Sequence, residues 1–269
     1  MLISFIEMMQ YDFIQHAFLA GLIISICAAL IGSSLVLRRQ SMIGDGLSHV
    51  AFGAAAIAVA FGWLPLEFST ITAIIAAFFI LRLNDNSKIN GDAAIAILSA
   101  SALALGTFVV SIRGVNIDLN AYLFGSILAI STHDLIASII LGCIVISTFI
   151  ILRRQIFAIT FDETFAKSIG VKVNLYQSVL AILCAVTTVI GMKMLGALLI
   201  SSLIIFPCLS AMQLAKNFRQ NLIFSVIISV ICFTFGLTTS YIFAAPAGAS
   251  IVLINLSVFL LCFIYNKIR

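Results

Sequence analysis

The chain has 269 residues, of which 63% are hydrophobic and only 9% are charged, and its formal net charge is +4. A soluble domain of this length would need far more charged surface, so the composition excludes a soluble protein and indicates an integral membrane protein. The apolar segments reach the roughly 20 residues that a hydrocarbon core of about 30 Å requires, and they lack the alternation of barrel strands. The predicted fold class is therefore an all-α polytopic membrane protein.

Nine apolar segments divide the chain and predict nine membrane-spanning helices in one transmembrane domain, residues 1–269. The predicted spans are 15–37, 46–63, 66–83, 93–112, 133–152, 173–191, 194–213, 220–243 and 247–266. Lys and Arg are retained on the cytoplasmic side of membrane proteins. An outside N-terminus places every Lys and Arg except Arg113 and Lys193 on that side, so we expect the N-terminus outside and the C-terminus in the cytoplasm.

Two connections differ from simple loops. Residues 116–131 are too short to span and too apolar for a free loop, which favours a short helix at the outer membrane interface. The connection 153–172 is the longest one predicted on the cytoplasmic side. Its pattern predicts an amphipathic helix that begins at Thr160 as N-cap and ends at Gly170.

Apolar residues recur every four positions in this predicted cytoplasmic helix, at Phe161, Phe165 and Ile169. The apolar face can rest on the membrane interface. It can also enter a groove on a cytoplasmic partner, with the acids Asp162 and Glu163 facing the basic rim of that groove. The position in the longest cytoplasmic connection favours docking.

Asp45 and His49 stand one helical turn apart at the start of the second apolar segment. If this segment is helical, both side chains lie on one face and can share a cation or a proton. Ionisable groups inside membrane spans are functional candidates, and a carboxylate with an imidazole suits zinc, manganese or ferrous iron. The alternative is structural: Asp45 caps the helix near the cytoplasmic headgroups and His49 bonds a neighbouring span.

The remaining polar residues have simpler interpretations. The six cysteines stand singly in apolar runs, which is typical of small buried hydrophobes. We interpret His16, His133, Glu67 and Lys193 as residues of the outer interface, with Lys193 extending to the headgroups. No phosphate-binding loop or hydrolase motif occurs, so we expect neither an enzyme nor a permanently bound cofactor, and no nucleic-acid partner.

Four motifs resemble, in the same order, the permease subunits of bacterial zinc, manganese and iron ABC importers. They are Arg-Arg-Gln-Ser-Met-Ile-Gly-Asp-Gly-Leu-Ser-His at 38–49, Asp-Leu-Asn-Ala-Tyr-Leu-Phe-Gly at 118–125, Gly-Ala-Leu-Leu-Ile-Ser-Ser-Leu-Ile-Ile-Phe-Pro at 196–207, and Pro-Ala-Gly at 246–248. The second and third motifs, with Met192 and Lys193, are most similar to the zinc permeases. Cys208 departs from the small residue, usually alanine, that follows Pro207 in this pattern, and two roles are open for it: a soft metal ligand or a residue that fills space.

The resemblance implies a type II ABC importer-like permease in the bacterial cytoplasmic membrane. Its expected partners are a second copy of itself, cytoplasmic ATPase subunits, an external metal-binding protein and membrane lipids. Asp45 and His49 would be transient ligands of the transported ion, which we expect to be zinc, with manganese or iron(II) as alternatives. The coupling loop that contacts the ATPase would contain six residues: Phe161, Asp162, Glu163, Phe165, Ala166 and Gly170.

A second class of function stays open at the level of sequence. A self-sufficient secondary carrier or channel would use Asp45 and His49 as a proton relay, but the chain lacks the two similar halves that such carriers often have. A membrane scaffold would leave Asp45 and His49 unexplained.

Overall fold

Helices form most of the described chain. The computed structural model describes residue 10 and residues 12–86, 91–115, 125 and 130–268. The predicted outer helix at 116–131 lies outside these residues except at positions 125, 130 and 131. In chain order the helices are α1 (Asp12–Leu37), α2 (Ile43–Phe61), α3 (Pro65–Asn86), α4 (Gly91–Arg113), α5 (Thr132–Ile151), α6 (Arg153–Phe161), α7 (Glu163–Ser168), α8 (Val173–Leu195), α9 (Ala197–Leu214), α10 (Phe218–Phe243) and α11 (Ala247–Ile268).

Eight helices within the described ranges are long and apolar enough to cross a membrane, namely α1, α2, α4, α5 and α8 to α11. The apolar part of α3 is shorter, at Pro65–Leu81. Each predicted span coincides with one of these helices or with α3, and the ends differ by a few residues. The total of nine spans and the outside N-terminus stay predictions.

The helices form two groups. In the first group, α2 packs against α3 and α4. In the second group, α9 packs against α1, α10 and α11, and α1 also contacts α5 and α10. Helix α8 touches members of both groups, while α2 and α9 meet over a smaller area. The boundary between the groups therefore lies along α8 and along the contact of α2 with α9.

Serine hydroxyls join the helices of the second group across its interior. On α10, Ser229 donates a hydrogen bond to the carbonyl of Ser25 on α1 at 3.0 Å, and Ser225 donates to the carbonyl of Ala29 at 3.4 Å. All four residues are buried. In a membrane the hydrophobic effect does not drive helices together, because lipid tails are as apolar as the side chains. Hydrogen bonds of this kind and close backbone contacts hold the helices together instead.

Close backbone contact also defines the first group. Gly53 on α2 and Gly106 on α4 face each other, and a Cβ on Gly106 would lie only 2.7 Å from the Cα of Gly53. A Cβ on Gly53 would overlap the backbone of Ala102. Glycine is thus required at this crossing, and the start of α2, which carries Asp45 and His49, is fixed against α4.

Candidate functional site

Asp45 and His49 lie together in the first turns of α2. The His49 Nε2 atom is 3.7 Å from the Asp45 Oδ2 atom, and the two side chains are 34% and 36% exposed. Asp45 does not cap the helix, because the N-cap position is Met42 and its side chain makes no capping bond. The capping alternative for Asp45 is therefore wrong. The pair is close enough to share one ion and open enough to be reached by it.

The second carboxylate oxygen of Asp45 has a partner on α9. The hydroxyl of Ser201 donates to Asp45 Oδ1 at 2.9 Å. It also lies 3.1 Å from the carbonyl oxygen of Ala197, so its single proton is shared between these two acceptors. Ser201 is only 9% exposed. The carboxylate is thus oriented by α9, with its Oδ2 atom turned towards His49.

The contact between α2 and α9 involves residues near the beginning of each helix. A Cβ on Gly44, one residue before Asp45, would lie 2.6 Å from Ile204 Cδ1, three residues after Ser201. The carboxylate therefore lies where the first turn of α2 meets the second turn of α9, inside the contact between the two helices.

A complete protein ligand set is not assembled at this point of the chain. Among the described residues, no three His, Cys, Asp or Glu side chains come together as a metal site. Cys208 lies further along α9, is fully buried, and its sulfur accepts a hydrogen bond from Asn221 of α10 at 3.6 Å. Cys208 therefore joins α9 to α10. The carboxylate, the imidazole and the Ser201 oxygen are the donors that α2 and α9 offer.

The connection 153–172 contains two short helices instead of the one predicted. Thr160 lies inside α6, where its hydroxyl donates to the carbonyl of Ile156 at 2.6 Å, so its prediction as an N-cap is wrong. The cap is Asp162, whose carboxylate accepts a bond from the Phe165 N–H at 2.8 Å and begins α7. Asp caps a helix better than Thr, and the break leaves Phe161 as the last residue of α6. Gly170, at φ +81°, ends the segment as predicted.

Glu163 turns towards its own chain. Its Oε1 atom is 2.7 Å from Lys167 Nζ, and its Oε2 atom accepts a bond of 2.9 Å from the Gln177 amide and lies 3.6 Å from the Arg38 guanidinium. Partial burial raises the pKa of the Glu163 carboxyl, but Lys167, Arg38 and Gln177 outweigh this effect and hold the pKa below its usual value. Together with the cap formed by Asp162, this means that both acids of the predicted coupling loop are bound within the chain.

The apolar side chains of the same loop face outwards. Phe161, Phe165 and Ile169 are 58%, 57% and 56% exposed, whereas Ala166 is fully buried beneath them. The Phe161 ring also contacts the Phe157 ring in a tilted arrangement, with ring centroids 4.9 Å apart. The exposed face is therefore apolar and aromatic, without a free acid at its centre.

The sequence and the fold both match known transport proteins. Residues 10–266 match the profile of the ABC 3 transport family. The chain belongs to this family. It is 32% identical over 255 residues to the manganese import system permease protein ScaB of Streptococcus gordonii, covering 94% of this chain and 91% of the relative. It is 31% identical over 253 residues to the high-affinity zinc uptake system membrane protein ZnuB of Haemophilus influenzae, covering 94% and 97%.

A solved structure supports the same assignment. PsaBC from Streptococcus pneumoniae, solved in complex with Fab, superposes with a TM-score of 0.86 at 31% identity, over 98% of this chain and 95% of the matched chain. With the eight apolar helices, these findings identify a multi-pass permease subunit of an ABC transporter in the bacterial cytoplasmic membrane.

In this ABC 3 family chain, an ion pair between Lys193 and Asp134 corrects the interpretation of Lys193. Its ammonium binds Asp134 Oδ1 of α5 at 2.6 Å instead of only extending to headgroups. Asp134 also closes a capping box with Ser131, which begins α5. Lys193 therefore ties the end of α8 to the start of α5, just before the turn at Gly196 that leads into α9.

Sequence reasoning did not assign a role to Ser201 or Asp134. Ser201 lies in the 196–207 motif, and the signal available was a polar pair, Ser201 and Ser202, inside an apolar helix. Asp134 follows a Ser at the spacing of a capping box. Neither signal indicates which residue is the partner, because each partner lies more than 50 positions away in the chain. His16, His133 and Glu67 do not join the Asp45 and His49 pair in any contact within the described ranges.

Proposed function

We propose that this chain is the permease of a divalent transition-metal importer and that Asp45 and His49 hold the ion in transit. The observation that carries the proposal is a partly exposed carboxylate and imidazole, 3.7 Å apart, in a bundle of apolar helices. Ionisable groups are costly inside a membrane and are retained there for function. A carboxylate oxygen with an imidazole nitrogen is a ligand pair for zinc, manganese or ferrous iron.

A weak site suits a transporter. Conduction requires binding that is strong enough to admit an ion and weak enough to release it. Two or three donors from one chain leave coordination positions open for water or for a second copy of the chain. The partial exposure of Asp45 and His49 is consistent with a homodimer that covers them.

Zinc is the cargo that the motif resemblance favours. Manganese is the second candidate, because relatives of similar identity are named for manganese and for zinc. The Ser201 hydroxyl beside Asp45 gives the site a second oxygen donor, and oxygen ligands suit manganese better than softer metals.

Energy would come from cytoplasmic ATPase subunits that bind the exposed face of α6 and α7. Phe161, Phe165 and Ile169 supply aromatic and aliphatic anchors of the kind that dominate protein interfaces. An external binding protein would deliver the ion. The chain itself would do no chemistry, and alternating access would move the ion past Asp45 and His49.

Metal uptake by cells that depend on this permease tests the proposal. Zinc, manganese and iron(II) are compared in the wild type, Asp45→Ala and His49→Ala at matched membrane levels. Asp92→Ala is the matched acid control, because Asp92 occupies the first turn of the neighbouring helix α4. Loss of uptake of one metal in both site variants, but not in the control, supports the proposal and identifies the cargo. Normal uptake in Asp45→Ala and His49→Ala would contradict it.

A vesicle experiment separates the importer from a secondary carrier. The purified chain alone should not move metal down a gradient, whereas the chain with its ATPase subunits should move it when ATP is supplied. Metal flux through the chain alone would favour the carrier.

A further inference from the structure

Three separate elements meet at the Glu163 side chain. Glu163 begins α7, Gln177 lies in the second turn of α8, and Arg38 directly follows the last residue of α1. The Oε2 atom of Glu163 is bound to Gln177 and paired with Arg38, while its Oε1 atom is paired with Lys167 in α7 itself. We call these four residues the Glu163 junction.

The Arg38 side of the junction leads directly to the proposed ion site. Arg38 stands in the turn that joins α1 to α2, and Asp45 lies in the first turn of α2. The Arg38 side chain is only 9% exposed, so the pair with Glu163 is shielded from solvent on that side. A shielded ion pair is screened less by salt than a surface pair and holds its geometry more firmly.

The α1–α2 turn is fixed by its own hydrogen bonds. The Arg39 N–H donates to the Val36 carbonyl at 3.0 Å, and the Gln40 N–H donates to the Leu35 carbonyl at 2.9 Å. Arg39 adopts φ +59°, a left-handed conformation that usually belongs to glycine in this kind of helix end. The Ile43 N–H in turn donates to the Gln40 carbonyl at 3.2 Å, so hydrogen bonds connect the turn to the start of α2 as well as to the end of α1.

A polar cavity beside the junction gives these elements room to move. It has a volume of about 260 Å³ and lies between the α1–α2 turn and the connection of α6 with α7. Its lining includes Arg38, Gln40, Thr160, Glu163 and Gln177. The Arg38–Glu163 pair, with its atoms 3.6 Å apart, joins the turn to α7 at the edge of this polar space.

We propose that Glu163 is a positioning residue that transmits movement of α7 to Asp45 through Arg38, and that it does not contact the ATPase. This inference rests on the proposed function. It replaces the expectation that the acids of the loop select the basic rim of a partner, because Asp162 caps α7 and Glu163 is bound to Arg38 and Gln177. The exposed apolar residues of the loop would then hold the ATPase, and Glu163 would carry the motion inwards.

A charge exchange tests the link. The wild type, Glu163→Arg, Arg38→Glu and the double variant are each assembled with the ATPase subunits in proteoliposomes, and metal uptake per ATP hydrolysed is measured. Co-purification of the ATPase is measured on the same samples. Lys172→Ala is the control, because Lys172 is an exposed lysine of the same connection that is not part of the Glu163 junction. Glu163→Gln is the conservative variant.

The expected result is that each single exchange lowers uptake per ATP by about 5- to 150-fold, the usual range of coupling between two sites. The ATPase should still co-purify, the double variant should recover most of the uptake, and Lys172→Ala should stay near the wild type. Loss of ATPase binding in Glu163→Gln would make Glu163 a contact residue and overturn the inference. An equal loss in the single and double variants would also overturn it. Failure of the proposed function is distinguishable, because the wild-type complex would then move no metal.

Discussion

The hydroxyl of Ser201 gives the sharpest test of the site geometry. Replacing Ser201 with Ala removes the only hydrogen bond that α9 donates to the Asp45 carboxylate within the described residues. A hydrogen bond to a charged group contributes about 1.5–3 kcal/mol, which corresponds to roughly 10- to 150-fold in binding. The Ser201 proton is shared with Ala197, and Asp45 is partly exposed, so the lower end of this range applies.

We therefore expect Ser201→Ala to raise the metal concentration for half-maximal uptake by about tenfold, as loss of a group that orients a metal ligand typically does. Ser201→Thr, which keeps the hydroxyl, should stay near the wild type. Ser202→Ala is the matched control, because the neighbouring Ser202 is buried and its hydroxyl has no hydrogen-bond partner among the described residues. Uptake is measured over a range of metal concentrations at equal membrane levels. An unchanged curve for Ser201→Ala, with uptake abolished in Asp45→Ala, would refute the reasoning.

Further predictions concern packing, docking and pH. Gly53→Ala should lower the free energy of unfolding of the purified permease by about 1–3 kcal/mol, as measured by thermal melting. The overlap of the new Cβ with the Ala102 backbone outweighs the gain of about 0.5–1 kcal/mol that Ala brings to a helix. Phe165→Ala should reduce co-purification of the ATPase with no loss of folded protein, whereas Phe263→Ala, a similarly exposed aromatic on α11, should not. The depressed pKa of Glu163 means that its interactions stabilise the fold fully above the ordinary carboxyl pKa and are lost as the pH falls through the lower, folded-state pKa. Thermal melts of Glu163→Gln should therefore lose part of the acid sensitivity of the wild type, and identical melting profiles at acid pH would contradict this.

The sequence predicts the helices well because their signals are local. Each apolar run predicts a helix by its length and hydropathy, and turn residues such as Gly170 mark the ends. The position of Asp45 and His49 on one face follows from helical spacing alone. These features need no knowledge of which helices meet.

The contacts that complete the site have no local signal. Ser201 meets Asp45, Lys193 meets Asp134, and Arg38 meets Glu163 across long stretches of chain. Within the connection 153–172, the cap is Asp162 rather than the predicted Thr160, and this cap divides one predicted helix into two. The direction of the Glu163 side chain depends on α1 and α8, which a local pattern does not describe.

The boundary between the two helix groups has a thermodynamic consequence. The Ser201 to Asp45 hydrogen bond crosses it, and the pair that would hold the ion belongs to the first group while its orienting hydroxyl belongs to the second. If relative movement of the groups changes the affinity for the ion, the bound ion must change the equilibrium of that movement by the same factor. The transported ion would thus act as an effector of its own transporter, and the affinity of the assembled complex for ATP should depend on whether Asp45 is occupied.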